Sequence, residues 1–574
     1  MVLSDRNWGG WPILWGICLL LMLGGWGLFL AADMEADAPL GASDLEGQLL
    51  LGARAQLAGQ DIPTGEWAPG VLLPLQTRIH AWAFDRFGCS LLTARRVVLA
   101  GGLLALVLLF LLVRRASGPL TALLTVLVLA VNPVFLGVAR TALPSVLSIL
   151  FMLVVIWLWI GGARRAWLAS LSGAGLVVVG LAENGPVNLF FLLAGLLMAL
   201  IMRLHSWKMA WFPDTRRRLR FFWAGVVTAL VPFIMSVLTH WEEYGIMWRH
   251  FAATSLRTIA ANLLSSPISV GDLMQRMPLL VAMALAYFLF FAKDVIRPVA
   301  RHRRLDEVRL WFLCWLLAGV PFFVLGSQAG LHDLVVLVPA MCVVAVEGVV
   351  RLYGLRRIER PKLDVMIVLT LIASVVWFAS AWFVRSLFSR EEFASFVEPH
   401  QLRAGLAGTV ILWGLGTYVA GWLYLRWRRL SFAPLQQLPV RGMSVILLLG
   451  MIGAGGVNAG IWWSNRTHEV HEASIRLERV LPADALVVGS WAPLLTLGQE
   501  AGAAIIWPHV NSQPLAWHDR VTHLLLQEGR EMDPELAPRR LFAGGAAGEM
   551  EAREIVALRI RGHAIRLFPV APKR

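Results

Sequence analysis

The chain has few of the residues on which soluble proteins rely. Only 15% of its 574 residues are charged, whereas soluble proteins average about 25%. Its four cysteines stand far apart, which excludes a disulfide framework and a Cys-x-x-Cys metal site. The sequence contains no nucleotide-binding motif and no glycine-rich phosphate loop. These absences exclude a soluble enzyme built around a bound nucleotide or a cysteine-held metal.

The chain is instead unusually rich in hydrophobic residues. Hydrophobic residues make up 58% of the chain and the mean hydropathy is +0.67. One soluble core cannot hide that excess, and such abundance also excludes disorder. A membrane-spanning helix needs about 20 mostly apolar residues. We predict thirteen spans: 11–32, 93–113, 119–137, 142–161, 166–182, 187–202, 221–239, 279–296, 310–327, 333–350, 364–384, 404–425 and 442–463.

The basic residues predict the orientation of these spans. With the N-terminus in the cytoplasm, 26 of the 51 Lys and Arg residues fall in the inner loops, 12 in the outer loops before residue 464 and 13 in the tail. Cytoplasmic loops are rich in Lys and Arg, so this bias fits the chosen orientation. The net charge of +14 therefore indicates membrane topology, and no nucleic acid is expected as a partner.

Three long segments then lie outside the cytoplasm. Residues 33–92 form a first loop with apolar residues at helical spacing, which predicts interfacial helices. Residues 240–278 form a second long loop. Residues 464–574 alternate apolar runs with helical patterns and predict a small α/β domain. The expected domains are thus a membrane part, 1–463, and an extracytoplasmic tail, 464–574.

The first loop carries a recognisable series of motifs. It reads Ser43-Asp44-Leu45-Glu46-Gly47, then Gly52-Ala53-Arg54, Pro74-Leu75, Phe87-Gly88-Cys89-Ser90 and Ala94-Arg95. This series resembles the first loop of the GT-C glycosyltransferases that use polyprenyl-phosphate sugars, in the protein mannosyltransferase and aminoarabinose transferase-like branch. Asn132-Pro133 followed by Arg140 is similar to the second external loop of that family, and His332 resembles its late carrier-binding loop.

The resemblance implies a fold and a reaction. The expected fold is a polytopic α-helical membrane protein of the GT-C type, with about thirteen transmembrane helices and a small extracytoplasmic α/β C-terminal domain. The expected reaction moves a sugar, with inversion, from a polyprenyl-phosphate carrier to a lipid, glycan or protein acceptor outside the cytoplasm. A bacterial inner membrane is the expected location.

The chemistry of transfer suggests roles for particular residues. A base near the acceptor is expected to be Asp44 or Glu46, and the leaving phosphate needs cations. Whether a divalent metal takes part stays open, because no metal-ligand spacing is recognisable. The candidates for donor and phosphate binding are Arg95, Arg140, Arg249 and His332, and those for substrate contact are Glu183, Glu242 and Glu243.

Departures from the family pattern leave two alternatives. The family has an adjacent Asp-Glu pair, whereas Leu45 separates Asp44 from Glu46 here, and Ser145 stands where a further acid is common. The first alternative is a non-catalytic GT-C-like protein that binds the carrier. The second is a flippase for a lipid-linked glycan, although the sequence shows no convincing internal repeat.

Overall fold

The computed structural model describes the greater part of the first loop, most of the predicted membrane helices and parts of the tail. Single residues are also described at 244, 245, 277, 279–281, 283, 284 and 287. The continuous described ranges are 12–37, 43–59, 74–183, 188–208, 213–241, 306–325, 331–354, 440–504, 521–528, 554–560 and 563–570.

The first three helices comprise a long apolar helix and two helices of the first loop. Helix α1 (Pro12–Ala31) is apolar almost throughout, as a helix facing lipid must be. Two shorter helices follow in the first loop, α2 (Ser43–Leu57) and α3 (Pro74–Phe87). Both are helices that the spacing of apolar residues in the first loop predicts, whereas their position at the membrane interface stays a prediction.

Two capped helices and a sharp bend follow. Helix α4 (Leu91–Ser117) begins where the Ser90 side chain accepts the Thr93 amide, and it ends at Gly118, whose φ of 90° suits glycine. Helices α5 (Pro119–Ala130) and α6 (Pro133–Ala139) meet at 67°. Asn132 causes the break, since its Oδ1 accepts the amides of Val134 and Phe135 and starts a new helix.

The middle of the bundle is closely packed. It contains α7 (Ser145–Gly161), α8 (Ala166–Val177), α9 (Leu189–Lys208) and α10 (Pro213–Thr239), and α8 ends in a π-helical turn at Val178–Ala182. Glycines bring α8 and α10 together, because a Cβ at Gly225 would collide with the Ser170 carbonyl. Single π turns of this kind often occur at functional sites.

The later helices complete the described bundle. They are α11 (Glu307–Leu325), α12 (Leu331–Leu334), a 3₁₀ turn (Val335–Leu337), α13 (Val338–Gly354) and α14 (Val440–Ser464). Four described helices are long and apolar enough to cross a bilayer, or five if α5 and α6 form one bent span. The shorter apolar helices α7, α8 and α9 lie among them.

One end of the bundle is held by ionic contacts. Glu307 accepts hydrogen bonds from Arg218 at 2.5 Å and from the Trp159 indole at 3.0 Å. At the same end, Glu347 pairs with Arg309 at 2.7 Å and with Arg351 at 2.8 Å. All of these residues lie at helix ends that the basic loops predict to be cytoplasmic, and this orientation stays a prediction.

The tail contains a five-stranded mixed sheet. Its strands are β1 (Leu486–Val488), β2 (Gly502–Ala504), β3 (His523–Gln527), β4 (Val556–Ile560) and β5 (His563–Pro569), in the order β2-β1-β3-β5-β4. The first three are parallel, with Val487 opposite Ala503 and His523, and the last two are antiparallel. Helices α15 (Glu469–Glu478) and α16 (Ala492–Leu495) pack on the sheet.

Ten of the thirteen predicted spans coincide with described helices. The span at 279–296 is described only in part, and the spans at 364–384 and 404–425 lie outside the described residues. The total of thirteen therefore stays a prediction. The described part of the tail contains both helices and strands, the two kinds of element that its sequence pattern predicts.

Candidate functional site

Helix α2 lies between the membrane bundle and the tail. Leu45 and Leu49, one turn apart, pack against the core of the bundle. Gly47 faces α16, where a Cβ would collide with the backbone of Leu494. Gln48 donates to the Ser490 carbonyl at 3.4 Å. A helix that is wedged between two bodies in this way holds the side chains of its first turn at fixed positions.

Glu46 and Arg95 form a fully buried ion pair. Arg95 Nε lies 3.1 Å from Glu46 Oε2 and Nη2 lies 3.3 Å from Oε1. Glu46 Oε2 also accepts the Ala142 amide at 2.9 Å. The exposed fraction is 0% for the Glu46 side chain and 1% for that of Arg95. Glu46 could accept a proton from an acceptor only if it first left this pair, and its catalytic role stays a prediction.

Asp44 is placed differently from Glu46. It occupies the first turn of α2 and is half-buried. Two residues apart on a helix, Asp44 and Glu46 point in different directions, as the sequence predicts. Of the two acids, Asp44 is the one that keeps access to solvent.

Arg95 and Arg140 both bind the turn after α1. Arg95 Nη1 donates to the carbonyls of Met34 and Ala36, at 2.8 and 3.0 Å. Arg140 donates to Leu30, Ala32 and Asp33 carbonyls at 2.5–3.1 Å, and its guanidinium lies 4.3 Å from the centre of the Trp462 ring. These contacts cap the C-terminal end of α1. Contact of either arginine with phosphate stays a prediction.

Four other predicted site residues have no described side chain. Arg249, Glu242 and Glu243 lie outside the described residues. His332 is placed in α12, but its side chain lies outside the described part.

Glu183 is buried between the membrane helices and the first loop. It follows the π turn and its Oε1 accepts the amide of Leu75 at 2.6 Å, in the first turn of α3. Burial raises the pKa of this carboxyl to about 7, although the nearby Leu75 and Gln76 amides oppose the rise. In the described part of the chain, Glu183 Oε2 has no hydrogen-bond partner. A carboxyl that titrates near neutrality is typical of functional sites.

A line of buried polar groups connects Glu183 to the start of α7. The side chain of Gln76, beside Leu75, donates to the Pro144 carbonyl at 3.4 Å. Ser148 donates to the same carbonyl at 3.1 Å and receives the Asn188 amide at 2.9 Å. Sequence reasoning singled out Glu183 but missed Gln76, Ser148 and Asn188. A polar residue inside an apolar run is the only signal that marks Ser148 and Asn188 in the sequence.

The turn after α1 also holds the tail. Asp37 is buried, and its carboxylate accepts the amides of Glu469 and Val470 and the Thr467 hydroxyl, at 2.8–3.3 Å. It therefore caps α15 from a distant part of the chain. Asp33 pairs with His468 at 2.8 Å, which lowers the pKa of Asp33.

Metal binding finds no support among the described residues. No group of three or more His, Cys, Asp or Glu side chains that could hold an ion occurs in the part of the chain that the structure describes. Whether the reaction uses a metal stays open, because Glu242, Glu243 and the side chain of His332 are not among these residues.

Known structures share this fold. ArnT from Cupriavidus metallidurans matches at a TM-score of 0.53 and 16% identity in the apo state. Bound to undecaprenyl phosphate, ArnT matches at 0.51 and 15%. Each match covers 98% of both chains. An oligosaccharyltransferase from Archaeoglobus fulgidus matches at 0.50 and 10%, over 88% of this chain and 67% of its own.

The predicted resemblance to GT-C glycosyltransferases is thus confirmed at the level of the fold. No protein-family model matches the chain, and no curated protein matches its sequence. A helical membrane protein of the GT-C type is the architecture on which a function can be proposed.

Proposed function

We propose that this protein is an integral membrane glycosyltransferase that moves a sugar from a polyprenyl-phosphate carrier to an acceptor outside the cytoplasm, with inversion. The observation that carries the proposal is the fold shared with ArnT over 98% of both chains. That ArnT structure is bound to undecaprenyl phosphate, a lipid carrier of the proposed class. The lack of a nucleotide-binding motif supports a membrane-borne donor.

Asp44 is the proposed base. In an inverting transfer, the acceptor hydroxyl loses its proton as it attacks the anomeric carbon, and the bond to the carrier phosphate breaks. The base must reach the acceptor, and Asp44 is half-buried at the outer end of the bundle. Glu46 is the less suitable of the two acids, because both of its oxygens accept hydrogen bonds in a buried pair.

Arg249 and His332 are the residues proposed to stabilise the leaving phosphate. Arginine and protonated histidine stabilise the negative charge that develops on a departing phosphate. Arg95 and Arg140 carry the same charge, but their guanidinium groups already donate to carbonyls of the turn at residues 30–36. Arg95 and Arg140 would therefore position the loop, whereas Arg249 and His332 would contact the carrier.

The test measures sugar transfer by the purified protein in detergent. The donors are radiolabelled polyprenyl-phosphate sugars, with and without a divalent metal. Asp44→Asn should reduce turnover at least a hundredfold, since general base catalysis contributes about 10²–10⁴-fold. Glu35→Gln is the matched control, because Glu35 is an exposed acid of the same loop.

If Asp44→Asn keeps full activity and Glu46→Gln loses it, the base is Glu46 and not Asp44. If the wild-type protein binds the carrier but shows no turnover, the proposed enzymatic activity is contradicted and the carrier-binding alternative is favoured. Movement of intact labelled lipid across a vesicle membrane, without bond cleavage, would favour the flippase.

A further inference from the structure

Several buried polar atoms at one end of the bundle lack hydrogen-bond partners among the described residues, and three of them lie on neighbouring elements. These three are Glu183 Oε2, Ser145 Oγ and Asn188 Oδ1, and none of them has a partner among the residues that the structure describes. Each of these residues has an exposed fraction of 0%. An unsatisfied buried polar group costs about 1–3 kcal/mol, so proteins retain few of them.

The three atoms belong to one cluster. Ser145 and Ser148 lie one turn apart on α7 and share a face. Ser148 accepts the amide of Asn188, and through the Pro144 carbonyl it is joined to Gln76. Gln76 follows Leu75, whose amide holds the other oxygen of Glu183. Elements that are distant in sequence therefore bring these polar groups to one place.

The cluster has the chemistry of a sugar subsite. Glu183 Oε2 and Asn188 Oδ1 are acceptors, and Ser145 Oγ can donate or accept. A ligand that satisfies the two acceptors must present at least two hydrogen-bond donors, and the hydroxyl groups of a sugar are such donors. Well-placed polar groups inside a largely apolar site are typical of small-molecule recognition.

The surroundings of the cluster favour a sugar carried by a lipid. Ser145 begins α7, Glu183 ends the π turn after α8 and Asn188 precedes α9, so three sides are formed by membrane helices. The first turn of α3 closes the outer side through its contact with Glu183.

We infer that Glu183, Ser145 and Asn188 form a binding site for hydroxyl groups of the sugar on the lipid carrier. Glu183 is a specificity-determining residue in this assignment, whereas Asp44 retains the role of base. The inference rests on the proposed function, because it takes the carrier-linked sugar as the ligand. Since burial raises the pKa of Glu183 to about 7, its ionised form prevails only above neutrality. The sugar should therefore bind more tightly at pH 8 than at pH 6.

The experiment compares binding of undecaprenyl phosphate with and without an attached sugar. The full-length protein in detergent is titrated with the bare carrier and with carriers bearing a pentose, a hexose and an amino sugar. The wild-type protein should bind at least one sugar-bearing carrier more tightly than the bare carrier. Ser145→Ala, Asn188→Ala and Glu183→Gln should each weaken binding of that donor about tenfold and leave the bare carrier unaffected.

Ser172→Ala is the matched control. Ser172 is also fully buried in the bundle, but its hydroxyl already donates to the Val155 carbonyl at 2.8 Å. Its replacement should leave the preference for the sugar unchanged. Ser145→Ala removes only an unpaired hydroxyl and should fold normally, so it keeps the test decisive if Glu183→Gln is unstable.

The outcomes separate the two proposals. If the bare carrier does not bind the wild-type protein, the proposed function fails. If the carrier binds but the preference for the sugar is absent, or survives in all three cluster variants, the subsite assignment fails while the proposed function stands. If the preference is lost only in Glu183→Gln and only for the amino sugar, the cluster recognises an ammonium group and the assignment to hydroxyls is wrong.

Discussion

At the scale of single residues, the outer end of the bundle is organised by Glu46 and Arg95. The guanidinium joins the acid of α2 to the carbonyls that follow α1, so one side chain fixes two segments of the first loop. Leu45, which separates the two acids, packs against the bundle. Asp44 is the more exposed of the two acids, which is why the proposed function gives it the role of base.

Replacement of Arg95 by Met should destabilise the protein strongly. It would leave Glu46 buried without its cation, and removal of one partner of a buried ion pair costs about 3–5 kcal/mol. The double variant Glu46→Leu with Arg95→Met should recover a large part of this loss, because no charge then remains unpaired. Thermal unfolding in detergent across the double-mutant cycle measures the coupling. Equal losses in the single and double variants would contradict the account.

The raised pKa of Glu183 predicts a dependence of stability on pH. With an ordinary pKa of 4.5 when unfolded and about 7 when folded, the folded protein binds more protons between these values. The free energy of unfolding should therefore fall as pH rises from about 4.5 to 7, by about 3 kcal/mol in total. The difference in unfolding temperature between wild type and Glu183→Gln isolates this contribution. A difference that is constant from pH 5 to pH 8 would refute it.

Sequence reasoning identified many of these residues but not their contacts. The first-loop motif indicated Glu46 and Arg95, yet their pairing joins positions 49 apart and depends on how α2 packs against α4. Arg140 has the charge of a phosphate ligand, and only the structure shows that it caps α1. Ser148 and Asn188 stand in apolar runs, where nothing local reveals which polar groups they meet.

At the scale of elements, the turn after α1 joins the first loop to the tail. Asp37 caps α15, while Arg54 of α2 donates to the carbonyls of Thr496, Gln499 and Ala501 at 2.7–2.9 Å. The tail is thus held by polar contacts from both the turn and α2, in addition to the packing of Gly47 on α16. The periodicity of apolar residues predicts that these helices exist. It carries no information about capping by a residue that is distant in the sequence.

Asp37→Ala should loosen the start of α15. The loss of a capping side chain typically costs about 1 kcal/mol, and the burial of Asp37 places this site toward the upper end of 0.5–2 kcal/mol. Hydrogen exchange of the amides at residues 469–472 should become faster in the variant. Glu35→Ala is the control, since Glu35 is exposed in the same turn. Unchanged exchange in Asp37→Ala would show that the cap does not hold α15.

At the scale of the whole molecule, the two ends of the bundle differ in character. One end carries the ion pairs of Glu307 and Glu347 and connects to the short basic loops. The other end carries α2, α3, the Glu183 cluster and the tail. The order of apolar runs and basic loops predicts which helix ends lie together, because hydropathy and charge act locally along the chain. The orientation of the bundle in a membrane stays a prediction.

This polarity predicts which residues can be labelled from outside the cell. In a variant without its native cysteines, Cys introduced at Glu35 or Arg479 should react with a membrane-impermeant maleimide in intact cells. Cys at Arg114 should react only after the membrane is opened. All three positions are exposed, so access to the reagent depends on the side of the membrane. Labelling of Arg114→Cys in intact cells would reverse the orientation.

The central claim is that the protein cleaves the bond between a sugar and its lipid phosphate. The most direct test supplies purified protein with polyprenyl-phosphate donors that carry one label in the sugar and another in the lipid, together with an envelope extract as the source of acceptor. The account predicts that sugar label passes to a new product while an equal amount of bare carrier appears, and that Asp44→Asn abolishes both. Binding of doubly labelled donor that is always recovered intact, at every pH and with every metal, would contradict it.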